Sequence, residues 1–303
     1  MPTPNLIRLG TRASQLAMWQ STWVQSQLQA RGVSVELVPI RTDGDDQTQP
    51  LQQIGGQGLF TKRLQTALLE QEIDLAVHSL KDLPTQDHPE LTIAAIPPRE
   101  NRADALVSNR YQSLEELPTG AVIGTGSVRR SAQLLHLRPD LEIRDIRGNV
   151  DTRLRKLDEG QFDAIVLAVA GLNRLELHDR IAYQFSTSEL LPAVGQGALG
   201  LETRANDCRT LDWVEPLNHL PSYYAALAER VLLRTLYAGC LSPVGCDTSI
   251  ADGTLTLRGV VLSTDGRQRV FAEETGPIER PQPLGAAVAQ RLLDNGAGEL
   301  LAR

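Results

Sequence analysis

Leu190-Leu191-Pro192-Ala193-Val194-Gly195-Gln196-Gly197 interrupts an α/β pattern with one proline and two glycines, a composition that marks a crossing rather than an element. Working back from it, strands are expected at Ala105 to Ser108, Ala121 to Gly124, Leu141 to Ile146 and Ala164 to Val169. An earlier break, Pro97-Pro98-Arg99-Glu100-Asn101, separates these from a first α/β run. That run has strands at Ile7 to Gly10, Val35 to Ile40, Ile73 to His78 and Leu91 to Ile96. Its helices are a stripe of Leu16, Trp19, Trp23, Val24 and Leu28 behind a Ser14 cap, and Leu59 to Leu69. If the second crossing returns the chain to the first domain, the pair of crossings forms a hinge. Beyond about residue 217 come a helix (Ala225 to Leu236), two β-like runs (Thr254 to Leu262, Arg269 to Glu274) and a final helix (Leu284 to Leu301). The fold class expected is therefore α/β, with two doubly wound domains and a third small α+β domain. The divisions are 1-98 plus 195-217, 99-194, and 218-303.

The chain has 303 residues, a 41% hydrophobic fraction and a net charge of −7. That is enough apolar material for two or three cores. No stretch reaches the ~18 apolar residues of a membrane span, and the start lacks the basic and apolar regions of a secretory leader, so a cytoplasmic location is expected. Three cysteines, Cys208, Cys240 and Cys246, are an odd number without CxxC spacing, which argues against disulfides and structural zinc. Five scattered histidines show no metal spacing. The acidic balance argues against a nucleic-acid groove.

Against that background, Gly124 to Lys156 carries eight Arg/Lys and four Asp/Glu. It contains Gly124-Thr125-Gly126-Ser127-Val128-Arg129-Arg130 and Arg147-Gly148-Asn149-Val150-Asp151-Thr152-Arg153. Arginine forks suit carboxylates and phosphates, so a small multiply anionic ligand is expected. Ser14 and Ser127 stand where strands pass into helices, where N–H groups can receive an anion; capping alone is the simpler reading for Ser14. His78-Ser79-Leu80-Lys81-Asp82 ends an apolar strand, the usual place for a ligand in an open α/β sheet, which makes Asp82 a candidate to stabilise a developing cation. Gly195-Gln196-Gly197-Ala198-Leu199-Gly200 fits a dinucleotide-binding pattern, but no apolar helical stripe follows it, and hinge glycines explain it better. Cys240 lies in a Gly239-Cys240-Leu241-Ser242-Pro243 turn that presents its thiol. Gly55-Gly56-Gln57-Gly58 reads as a mobile lid.

Taken together, His78 to Asp82, Val128-Arg129-Arg130, Arg147-Gly148-Asn149, Leu190 to Gly197 and Gly239-Cys240 resemble the hydroxymethylbilane synthase, or porphobilinogen deaminase, family, from about Ile7 to the last helix. The resemblance implies a first and second domain similar to periplasmic binding proteins. It also implies a dipyrromethane cofactor in thioether linkage to Cys240, and head-to-tail condensation of four porphobilinogens with loss of ammonia. Asp82 matches the catalytic aspartate. Lys81, Thr125, Ser127, Arg129, Arg130, Arg147 and Gly148 match cofactor-binding positions. Arg12, Ser14, Arg147, Arg153, Arg174 and the hinge residue Gln196 match substrate-binding ones. The implied state is a monomer with no nucleic-acid or membrane partner. Glutamine replaces the family's usual lysine at Gln57 and near Gln53, glycine replaces serine at Gly126, and alanine replaces glycine at Ala238; the two glutamines remove positive charge from the lid, so an active enzyme with altered elongation is expected. The alternative function is a non-enzymatic hinged-cleft protein that binds a small polycarboxylate.

Overall fold

A computed structural model describes residues 6–40, 61–239 and 241–302. It is mixed α/β, with two five-stranded sheets and a small three-stranded one. Contacts divide the chain into two units, one of residues 1–99 and 198–223, the other of residues 100–197 and 224–303.

In the first unit, β1 (Leu6–Thr11), β2 (Ser34–Pro39), β3 (Leu75–Ser79), β4 (Leu91–Ala95) and β10 (Leu199–Arg204) form a sheet of order β2-β1-β3-β10-β4. β1 runs parallel to β2 and β3, and β10 runs antiparallel between β3 and β4. Period-two alternation explains how β3 serves two cores. Leu75 and Val77 pack with Ile7, Leu9, Val24 and Leu28 of β1 and helix α1 (Gln15–Gln29) on one face. Ala76 packs with Leu64, Ala67 and Leu68 of helix α2 (Lys62–Leu69) on the other. The face that α1 buries differs from expectation: Gln20, Ser21, Val24 and Leu28 point inward, while Trp19 is 37% exposed. Polar Gln20 is buried because its amide is hydrogen-bonded to the Ser79 hydroxyl, 2.9 Å away.

The second unit repeats this order. β5 (Asp104–Val107), β6 (Val122–Gly124), β7 (Glu142–Arg144), β8 (Ala164–Ala168) and β9 (Tyr183–Gln184) are arranged β7-β6-β8-β5-β9, with β5 antiparallel to β8. Again the strands alternate: Ala105, Val107, Ile165 and Leu167 line one core, and Leu106, Ile123, Ala164 and Val166 the other. In both sheets the antiparallel fourth strand directly follows a crossing, β5 after residue 99 and β10 after residue 197. The glycines at 195 to 200 therefore run into a strand, which removes the dinucleotide-binding pattern.

The third sheet, β11 (Val244–Ala251), β12 (Thr254–Leu262) and β13 (Arg269–Pro277), is an antiparallel meander covered by α5 (Leu220–Thr235) and α6 (Pro281–Asp294). β11 was not expected, because Gly245, Asp247 and Ser249 dilute its apolar pattern. The final helix is two, broken at Gly296, whose φ of 94° is left-handed, before α7 (Ala297–Leu301). This sheet clusters with the second one through specific ties. His136 Nδ1 meets the Gly266 carbonyl at 2.8 Å, Asp247 pairs with Arg102, and Gly195 N donates to Glu229 at 2.8 Å.

Candidate active site

Each unit presents part of the predicted constellation. In the first, β3 ends in a 3-10 turn, Leu80–Asp82, whose Leu80 N–H donates to the Ala198 carbonyl at 3.0 Å. The turn is thus moored to the return strand, and Leu80 is buried beneath it. Asp82 is half-buried, and its carboxylate has no hydrogen-bond or ion-pair partner among the described residues. Lys81, equally half-buried, precedes it. One residue before the turn's cap, His78 is buried and its Nε2 lies 2.9 Å from Glu202, which also accepts from the Gln65 amide at 2.9 Å. Arg12 and Ser14 follow β1. The Ser14 hydroxyl accepts from Ala17 N at 3.4 Å, so it does cap α1.

In the second unit, β6 leads through Thr125-Gly126-Ser127 into α3 (Val128–Leu137). Thr125 Oγ1 accepts from Ser127 N at 3.2 Å, and Ser127 Oγ accepts from Arg130 N at 3.4 Å as the helix cap. After β7, Asn149 caps α4 (Val150–Asp158), accepting from Thr152 N at 3.2 Å. Gly148 has a φ of 111°, and a Cβ there would meet Thr152 at 2.6 Å. Arg153 Nε donates to the Gly148 carbonyl at 2.8 Å and Lys156 Nζ to the Arg147 carbonyl at 3.2 Å, while Arg147 Nε donates to Asp145 at 2.7 Å.

Arg129 and Arg130 are not the open anion receivers their sequence context suggested. Both are buried against Asp104, at 2.7 and 2.6 Å. Arg130 donates to Asp104 from Nε and Nη2 and to the Val166 carbonyl from Nη1, so each of its nitrogens is engaged. Arg129 Nη1 also donates to the Leu191 carbonyl at 2.7 Å, while its Nε is buried without a hydrogen-bond partner among the described residues. Burial opposes charge on Asp104. The attraction and hydrogen bonds of the two guanidinium groups outweigh it and hold the carboxyl far below its usual range. Burial likewise draws Arg129 down from its ordinary value, with Asp104 opposing that shift. Gln196, expected in a hinge, is buried and donates to the Arg102 carbonyl at 2.7 Å and to Asp104 at 2.9 Å. Arg174 is buried, donates to the Gly197 carbonyl at 2.7 Å, and is pushed down to about 10 by burial.

Asp104 is the residue that sequence reading missed. The only signal was a lone acid opening the apolar strand Asp104-Ala105-Leu106-Val107. With Arg138 on Asp140, Arg144 on Glu142, Arg147 on Asp145 and Arg155 on Glu159, the basic segment is largely compensated. Cys240 and the stretch holding Gln53 and Gly55 to Gly58 lie outside the described residues. Cys208 is exposed and Cys246 buried, neither in a disulfide. Among the described residues no cluster of three His, Cys, Asp or Glu could hold a metal, and no helix is long and apolar enough to cross a membrane.

The chain is similar to known proteins over nearly its full length. A family model described as porphobilinogen deaminase, dipyrromethane cofactor binding domain, matches residues 7–212, and one described as the C-terminal domain of porphobilinogen deaminase matches residues 223–294. The porphobilinogen deaminase of Desulforudis audaxviator is 52% identical over 97% of this chain and 96% of its own. That of Syntrophotalea carbinolica is 49% identical over 98% and 95%. Among solved structures, the methionine-binding protein MetQ covers 75% of this chain and 96% of its own at 15% identity and a TM-score of 0.47, a loose likeness. With both of its family models matched and half of its residues shared with these relatives, the chain belongs to the porphobilinogen deaminase family.

Proposed function

We infer that this chain is a transferase that condenses four porphobilinogen molecules head to tail, with loss of ammonia, onto a dipyrromethane joined to Cys240, and releases hydroxymethylbilane. The observation that carries this is the match of both family models, 7–212 and 223–294, together with a half-buried Asp82 carboxylate that is not neutralised by any described residue. A preorganised carboxylate is suited to a cation that develops as ammonia departs, because it needs no reorganisation at that moment. Asp82 therefore holds a pyrrole N–H and stabilises the cation. Lys81, Arg12 and Ser14 bind carboxylates in the same unit.

The residues of the second unit fit a dipyrromethane's carboxylates. Arg147 keeps both terminal amino groups without a partner among the described residues, Arg129 keeps a buried Nε, and Thr125 and Ser127 carry hydroxyls beside them in sequence. When bound, the dipyrromethane supplies the free pyrrole carbon to which the first substrate is joined. Arg147, Gly148, Thr125, Ser127 and Arg129 hold it. Arg130 and Gln196 act by fixing Asp104, and through it Arg129. Arg153 and Arg174 complete the substrate-binding set. Residues 218–303 form the domain that bears the cofactor thiol, supported by their own core of Leu232, Leu257, Val288 and Leu292. The enzyme works as a cytoplasmic monomer.

Intact mass under denaturing conditions tests the reading on the wild-type chain and on Cys240→Ser. The expected increment is two porphobilinogens less two ammonias, present in the first and absent from the second. An unmodified wild-type chain after incubation with porphobilinogen would refute it.

A further inference from the structure

We propose that Asp145 is a placeholder carboxylate: it occupies Arg147 in the ligand-free chain, gives way to a substrate carboxylate, and so sets how selectively that arginine takes anions. This rests on the reading of Arg147 as a carboxylate binder. Asp145 and Arg147 are two residues apart just after β7, on either side of buried Ile146, so both side chains leave the buried face together. Asp145 Oδ2 accepts from Arg147 Nε at 2.7 Å. Space for that carboxylate comes from Gly126 in the neighbouring loop, where a Cβ would stand 2.8 Å from Asp145 Oδ1 and 3.2 Å from the Ile146 carbonyl. Gly126 does not have a positive φ, so close approach is its role here, not backbone freedom.

The pair is made to exchange. Its side chains are 54% and 35% exposed, and exposed ion pairs contribute about 1 kcal/mol or less. One oxygen on Nε blocks the Nε edge of the guanidinium, where a carboxylate could bind bidentately, and leaves the terminal amino groups accessible. A weak monodentate anion gains too little to displace Asp145. A substrate carboxylate held elsewhere by its own ring does displace it.

The experiment uses the full chain and sodium succinate as the probe, with binding read from the backbone amide shift of Gly148. Asp145→Asn is expected to tighten succinate by up to about fivefold, the factor that corresponds to about 1 kcal/mol. Gly126→Ala, which keeps the charge but pushes the carboxylate off Arg147, should move affinity the same way. In an Arg147→Gln background, which has no cation for Asp145 to occupy, Asp145→Asn should have no such effect. With porphobilinogen, Asp145→Asn should lower KM and leave kcat in place. Unchanged succinate affinity in Asp145→Asn overturns the proposal, as does an equal gain in the Arg147→Gln background. So does a gain in Asp145→Asn with none in a folded Gly126→Ala, which would make the effect one of net charge. If Gly126→Ala melts early, the Asp145 and Arg147 double-mutant cycle decides alone. Succinate binding needs no turnover, so this outcome is independent of the mass measurement that tests the enzyme reading.

Discussion

At the scale of single residues, two aspartates show opposite uses of a carboxylate. Asp82 has no partner among the described residues and stands on a short turn moored by Leu80. Asp82→Asn keeps its shape and removes its charge, so the loss should fall on the rate of the chemical step. We expect kcat to drop by roughly 100- to 1,000-fold, the usual size for one preorganised electrostatic contact. The melting temperature should hardly change. Single-turnover release of ammonia measures this, and a loss confined to KM would contradict it. Asp104, by contrast, is wholly buried between Arg129 and Arg130. Its folded pKa lies below the unfolded value of about 3.9, so its stabilisation is complete above that pH and is lost as pH falls towards the folded value. Asp104→Ala leaves two buried guanidinium groups uncompensated and should cost about 3–5 kcal/mol at pH 7. Urea unfolding from pH 7 down to pH 2 should show the variant and wild type converging in acid.

At the scale of elements, glycines at the joints give a comparison in which the backbone is matched and the surroundings differ. Gly197 and Gly296 both have left-handed φ, 83° and 94°. A Cβ at Gly296 meets nothing within 4 Å, whereas at Gly197 it would stand 2.4 Å from the Glu100 carbonyl. Gly296→Ala should cost about 1–2 kcal/mol, the intrinsic penalty of a left-handed L-residue. Gly197→Ala must in addition force apart two strands of chain joined by the Glu100 N–H to Gly197 carbonyl bond of 3.2 Å. It should be clearly the more destabilising in thermal melts, and equal costs would mean the crossings yield easily. The same elements show what could be read in advance. Strands such as β3 and β8 were legible because buried central strands are near-continuous apolar runs. β11 was not, because its Gly245 answers to Leu191, whose side chain would stand 2.9 Å from a Cβ placed on that glycine, a long-range fact. The position of Asp82 at a strand end was legible for the same reason as β3. The engagement of Arg129 and Arg130 was not, since Asp104 lies 25 and 26 residues away and no local pattern joins them.

At the scale of the whole molecule, the chain carries −7 yet is expected to gather ligands that bear carboxylates. The sequence suggested that an island of positive charge from Gly124 to Lys156 overcomes this. The structure shows most of its arginines already facing acids, several of them exposed pairs such as Arg144 with Glu142 and Arg155 with Glu159. Long-range attraction should therefore be weak, and binding should depend on short contacts made after local partners are exchanged. Added salt separates these cases, since the screening length falls from about 10 Å at 0.1 M to about 3 Å at 1 M. A field-driven site would lose porphobilinogen kcat/KM steeply across that range. We expect a shallow decline, because close contacts are screened little and salt also quiets the repulsion from the net negative charge. Arg147→Gln should lower kcat/KM at every salt concentration while leaving the slope nearly unchanged. A steep wild-type slope that flattens in Arg147→Gln would instead show that this arginine acts at a distance.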